Sequence, residues 1–226
     1  MTDLRGVHHL ALSTGDLKAQ IEFFTDVLGA ELTAMFWMHN MPDAVHAFLK
    51  IDDFTYIAFV QSPESQALEE PGLPELHFTP PRGAMQHVAF HVDSEDKMLA
   101  YRDRARSKGL YCMGPIDHGF CKSVYLPGPE GLQLEVAFAN NPIDGRRYID
   151  PEIVEKLGIS EADLSRYTKP EPTRGEGGAI PQVTWDDDNP QWNIPAHLVD
   201  VLTTLSDEEI TELMSVVASP VGVGEG

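Results

Sequence analysis

A repeat within the first 140 residues constrains this chain more than any other feature. The segment GVHHLALS at 6–13 lies over AMQHVAFH at 84–91: His9 falls on His87, Ala11 on Ala89, and Leu10 and Leu12 on Val88 and Phe90. Both segments alternate apolar and polar residues, the signature of a half-buried strand. A helical pattern follows each. The first begins at the N-cap Asp16, carries Leu17, Ile21, Phe24 and Leu28 on one face, and stops at Gly29. The second begins near Ser94, carries Met98, Tyr101 and Ala105, and stops at Gly109. Three extended runs come next, roughly 31–38, 45–50 and 54–61 in the first unit and 110–114, 120–126 and 132–138 in the second. The chain therefore reads as α+β, two βαβββ modules at about 5–62 and 83–139.

The composition changes after residue 140. Asn140-Asn141-Pro142 ends the last strand, and residues 169–195 are rich in Pro, Gly and Asp. We expect a domain over 1–140 and a C-terminal extension over 141–226 made of loops and short helices. Helices are expected at Pro151–Leu157, Glu161–Tyr167 and Pro195–Leu205, and a last one opens at the capping box Ser206–Glu209. Their apolar stripes indicate packing and carry no chemistry. The net charge is −20. Such a surface repels phosphate backbones, which excludes nucleic acid and anionic membrane as natural partners. No apolar run is long enough to span a bilayer, and MTDLRGVHH lacks the layout of a secretory signal. Cys112 and Cys121 are too few for a disulfide scaffold, so a reduced, cytoplasmic protein is expected.

Strand alternation sorts the side chains by face. His9 and Ala11 share one face of the first strand, His87, Ala89 and His91 one face of its repeat, and Gln133, Glu135 and Ala137 one face of the last strand. Each of these strands shows an apolar face for helices and a second face bearing one strong metal ligand, with alanine two residues on. A lone strand histidine is usually a satisfied polar residue, and a lone strand glutamate is usually solvated. Two repeat-related histidines and an inward carboxylate weigh the other way. His9, His87 and Glu135 match the two-histidine, one-carboxylate triad of non-haem Fe(II) enzymes. His8 is adjacent to His9, but both the repeat and the face select His9.

On these residues the chain resembles the vicinal oxygen chelate superfamily of glyoxalases, extradiol ring-cleaving dioxygenases, epimerases and bleomycin-resistance proteins. The resemblance rests on HHLALSTGDL with EFFTDVLGAEL, on MQHVAFHV and on YLPGPEGLQLEV, and covers about residues 5–139. It implies one open cup of eight strands and metal ligation by His9, His87 and Glu135. The segment IDHGFCKSVYLPGPEGLQLE (116–135) looks like the extradiol dioxygenase signature, with His118, Val124-Tyr125, Pro129-Glu130-Gly131 and Glu135 in their places. Gly128 departs from it, standing where that signature has Asp, Glu, Asn, Thr or Ala. A gap-free alignment of the two modules sets Ile57 opposite Glu135. That leaves three protein ligands rather than the four usual in glyoxalases.

By resemblance, His118 and Tyr125 hydrogen-bond the substrate hydroxyls; the plainer alternatives are a loop cap and a packing residue. His77, ahead of the second ligand strand, is a candidate acid–base group. His91 shares the face of His87. His39 and His46 lie near Phe36 and Trp37, which line the cup or simply pack. Cys121 reads as a small side chain rather than a nucleophile. The resemblance thus implies an Fe(II)-dependent extradiol-type dioxygenase, with Mn(II) or Zn(II) as other metals, acting on a catechol or hydroquinone-like diol with O2. A glyoxalase- or epimerase-type lyase or isomerase without redox chemistry is the alternative, and a non-catalytic small-molecule binder the third reading. Pairing with a second copy is expected, because family members often dimerise.

Overall fold

The structure is a computed structural model that describes residues 4–38, 41–69, 72–73, 80–172, 177–178, 180–215 and 218–221. The first module runs β1 (His9–Ser13), α1 (Leu17–Asp26), β2 (Glu31–Trp37), β3 (Val45–Lys50) and β4 (Tyr56–Gln61). Its sheet has the order β1-β4-β3-β2, with β1 parallel to β4. A short helix, α2 (Pro63–Ala67), follows. The second module repeats the plan with β5 (Val88–Val92), α3 (Glu95–Ser107), β6 (Met113–Asp117), β7 (Lys122–Pro127) and β8 (Gln133–Phe138). Its order is β5-β8-β7-β6, and β5 is parallel to β8. A parallel pair needs a long crossover, and the helix plus hairpin of each module supplies it.

The helix ends follow the local chemistry read from the sequence. The Asp16 carboxylate accepts from the Ala19 amide at 2.9 Å, and the Ser94 hydroxyl from the Lys97 amide at 3.2 Å. Each bond satisfies a backbone donor that the helix itself leaves unpaired. The strand β6 begins at Met113, three residues later than expected. The backbone of 110–112 is used by the preceding helix instead: the Leu110 amide donates to the Ala105 carbonyl, and the Arg106 guanidinium to the Cys112 carbonyl.

One apolar core crosses both modules. Phe24 of α1 is fully buried and meets Phe59 of β4 and Phe90 of β5 edge-on, with ring centroids 5.2 Å and 6.4 Å away. A buried aromatic of this kind contributes about 3–5 kcal/mol against truncation to alanine. Arg104 of α3 caps the C-terminal end of α1, its guanidinium donating to the carbonyls of Thr25 and Asp26. That places a cation at the carbonyl end of the helix, where the Thr25 carbonyl also accepts from the Gly29 amide.

A second link is polar. Glu130, in the 3-10 turn Pro129–Gly131 between β7 and β8, has a left-handed φ of 53°. Its carboxylate accepts from the Thr14 hydroxyl at 2.5 Å, the Gly15 amide at 2.7 Å and the Gln20 side-chain amide at 2.9 Å. These three charge-assisted bonds outweigh the cost of the backbone conformation. They fasten the end of β1 to the turn that opens β8.

The extension contains α4 (Gly145–Tyr148), α5 (Pro151–Lys156), α6 (Glu161–Thr168), α7 (Ala196–Thr204) and α8 (Asp207–Met214). The sequence foreshadows α5, α6 and α7 within one residue at each end and α8 at its start; α4 is the unforeseen one. The Ser206–Glu209 capping box is formed. Among the described residues, no helix is long and apolar enough to cross a membrane.

Candidate metal and substrate site

The second sheet gathers most of the expected site residues on one face. His87, at the entrance to β5, places Nε2 3.0 Å from Glu135 Oε2. Glu135 lies at the centre of β8 and is only 5% exposed. It pairs across the ladder with Tyr125 of β7 on one side and Ala89 of β5 on the other. The Tyr125 hydroxyl is 2.8 Å from His118 Nε2. His118 sits at the β6–β7 turn, where its amide donates to the Cys121 carbonyl, so its backbone closes the turn and its ring is left to meet Tyr125. Burial raises the Tyr125 phenol above its ordinary pKa, and the Glu135 negative charge adds to the effect.

Beside these groups lies a cavity of about 480 Å³. His87, His118 and Tyr125 give it polar points, and Tyr111, Met113, Ile116, Leu126 and Pro127 give it apolar walls. Apolar walls with a few convergent polar groups suit a small aromatic molecule.

The metal triad is only partly assembled. Among the described residues, no three His, Cys, Asp or Glu side chains stand close enough together to hold an ion. His87 and Glu135 meet; His9 does not join them. His9 belongs to the first sheet, where its Nδ1 lies 2.9 Å from His8 Nδ1 and its ring packs against Phe48 at 5.5 Å. The donors that do meet fit a divalent cation. Two ligands each about 2.1 Å from one ion and at right angles stand about 3 Å apart, which is the separation found. A buried carboxylate facing an imidazole nitrogen is also a donor set suited to iron, manganese or zinc.

The ladder registers correct one expectation. Ala11 pairs with Ala58 and Ala89 pairs with Glu135, so Ala58, not Ile57, corresponds to Glu135. The first strands of the modules differ by 78 positions (His9 to His87) and the last strands by 77, so a one-residue offset enters between them. Alanine binds metal no better than isoleucine, and the first module still provides no carboxylate here.

The other histidines are dispersed. His91 is exposed and borders a separate small cavity beside Lys50, Ile51 and Tyr101. His46 packs at a tilt against Phe36 and Phe48, and its buried Nε2 has no hydrogen-bond partner among the described residues. Burial, then the neighbouring His9, lowers its pKa. His39 and His77 lie outside the described residues. Cys121 Sγ is 3.6 Å from Ser123 Oγ. Sequence reasoning missed Glu130 as a link between modules; its partners are 110 to 116 residues away, and no local pattern announces them.

Residues 6–136 match the Glyoxalase/Bleomycin resistance protein/Dioxygenase superfamily. The chain belongs to this superfamily. Among curated proteins it is similar to biphenyl-2,3-diol 1,2-dioxygenase 3 of Rhodococcus globerulus, 30% identical over 144 residues, covering 62% of this chain and 66% of the relative. It is also similar to biphenyl-2,3-diol 1,2-dioxygenase 2 of the same organism, 23% identical over 145 residues, with 63% and 68% covered. The match thus spans about two thirds of these relatives. Among solved structures, a glyoxylase/bleomycin resistance protein/dioxygenase domain from Frankia sp. EAN1pec superposes with a TM-score of 0.51 at 17% identity. That superposition covers 61% of this chain and all of the other, and shows the shared fold.

Proposed function

We propose that this superfamily member is an Fe(II)-dependent extradiol-type dioxygenase that opens a catechol-like ring with O2. The observation that carries this reading is the pair of pairs on one sheet, His87 with Glu135 and His118 with Tyr125, of which His87, His118 and Tyr125 border an apolar cavity. The similarity to two biphenyl-2,3-diol dioxygenases supports it. His87 and Glu135 would hold the ion, and His9, which lies apart from them in the first sheet, would have to move onto it to serve as third ligand. When bound, iron supplies positive charge that acidifies a diol hydroxyl and a redox centre through which the ring and dioxygen react.

The remaining work falls to the chain's own side chains. The Tyr125 phenol is protonated at neutral pH, as an ordinary tyrosine is, and would act as a hydrogen-bond donor to a substrate oxygen. His118, 2.8 Å from that hydroxyl, accepts a proton from the diol as it binds and returns one as the ring opens. Met113 and Ile116, with the exposed Tyr111 at the rim, would flank the ring.

The test is oxygen uptake by the Fe(II)-loaded protein over a panel of diols that begins with biphenyl-2,3-diol. One O2 consumed per diol, with both atoms of 18O2 in the product, is expected. An iron-loaded protein that consumes no oxygen with any diol contradicts the reading. Turnover of a substrate without oxygen and with zinc would instead indicate the lyase or isomerase chemistry of glyoxalases.

A further inference from the structure

The extension meets the β6–β7 turn through Tyr148. Tyr148, the last residue of α4, sets its ring edge-on against Phe120, with centroids 5.4 Å apart and planes at 81°. Phe120 in turn stacks on His118, centroids 6.3 Å apart and planes at 29°. The residue between them is Gly119, with φ of +82°. A Cβ placed on Gly119 would stand 3.0 Å from the Tyr148 hydroxyl, so the tyrosine lies directly on the turn. The helix carrying Tyr148 is fixed by its own local contacts. Asp144 caps it through the Arg146 amide, and the Arg147 guanidinium lies 5.6 Å over the Tyr148 ring.

We propose that Tyr148 is a positioning residue through which the C-terminal extension braces the β6–β7 turn and holds the His118 imidazole on Tyr125. His118 is exposed, and a single hydrogen bond to a phenol does not confine an exposed imidazole to one rotamer. Two aromatic contacts in series, His118 to Phe120 and Phe120 to Tyr148, add to that hydrogen bond and narrow the choice. The contact is narrow: a cavity of about 420 Å³ separates other parts of the turn from the extension, bordered by Glu95, Lys122 and Arg147. Losing Tyr148 therefore leaves the turn without its outer support. The geometric claim is independent of the reaction; its catalytic consequence rests on the reading of His118 as a substrate contact.

The experiment compares the full-length protein with Tyr148→Ala, Tyr148→Phe and Gly119→Ala. It uses the imidazole NMR resonances of His118, assigned by their loss in His118→Gln, and steady-state kinetics on the diol that the wild type cleaves. Tyr148→Ala is expected to shift or broaden the His118 resonances while those of His91 stay in place. It should also lower kcat/KM on the order of tenfold, mainly through KM. Tyr148→Phe keeps the ring edge and restores both readouts. Gly119→Ala, strained at its φ and crowding the hydroxyl, reproduces the alanine phenotype. Unmoved His118 resonances in Tyr148→Ala overturn the proposal. Should that variant not fold, Tyr148→Leu, which keeps bulk without a ring edge, decides by the same spectrum. If the iron-loaded wild type cleaves no diol, the functional reading fails while the spectrum still decides the brace.

Discussion

The two modules share a ladder register and differ in what they hang on it. At the position of His87 the first module has His9, at that of Glu135 it has Ala58, at that of Tyr125 it has Phe48, and at that of Ser123 it has His46. The second face therefore has an imidazole beside a buried carboxylate and a phenol. The first has an imidazole among phenyl rings, with Phe36, Phe48 and His46 in contact. One βαβββ frame supports both, because strand order and register depend on the apolar faces turned to the helices. The opposite faces are then free to diverge. Chemistry collects where a single change, alanine to glutamate in effect, brings in a carboxylate.

The largest effect expected from breaking this contrast is at Glu135. Glu135→Ala makes β8 match β4 and should abolish diol cleavage, by on the order of 10³-fold or more, with loss of bound iron by elemental analysis. The next is Tyr125→Phe, which makes β7 match β3. It should lower kcat about 10- to 100-fold with iron content unchanged, whereas Phe48→Tyr in the other module should leave kcat near the wild-type value.

The link between modules comes third. Glu130→Ala leaves the Thr14, Gly15 and Gln20 donors without their acceptor and should destabilise the fold by about 2–4 kcal/mol in denaturant unfolding. The smallest effect is at His46. His46→Phe removes a buried nitrogen with no partner among the described residues and should stabilise by up to about 1 kcal/mol. The sign of its pH dependence follows from its lowered pKa. The stability it contributes is present above the ordinary imidazole pKa of about 6.5 and is lost as pH falls through the folded value, since the unfolded chain takes up the proton first. Unfolding curves of His46→Phe should lack that acid-side loss.

Much of this was legible from local pattern. Alternation found the strands, and Asp16, Ser94 and Ser206 marked helix starts, because capping is local chemistry. His87 and Glu135 were legible by alternation, which sets each on the strand face turned from the helices, whereas His118 and Tyr125 entered only through the resemblance to the extradiol signature. His9 was legible as a strand residue facing away from the core, but its place relative to His87 depends on how two sheets meet, which no spacing encodes. The Ala58 position was missed by one residue because the offset between modules changes between first and last strands. Glu130 and Tyr148 act over contacts set by packing: Glu130 reaches residues over a hundred positions away, and Tyr148 reaches the site across a break in composition.

The proposed seat of the ion is the second sheet's His87–Glu135 pair. Anaerobic equilibrium dialysis with Fe(II) on the wild type, His87→Ala, Glu135→Gln and His9→Ala tests it most directly. The account predicts one tightly bound ion per chain in the wild type, none retained in the His87 or Glu135 variants, and weakened binding in His9→Ala. Binding as tight in Glu135→Gln and His87→Ala as in the wild type would contradict it.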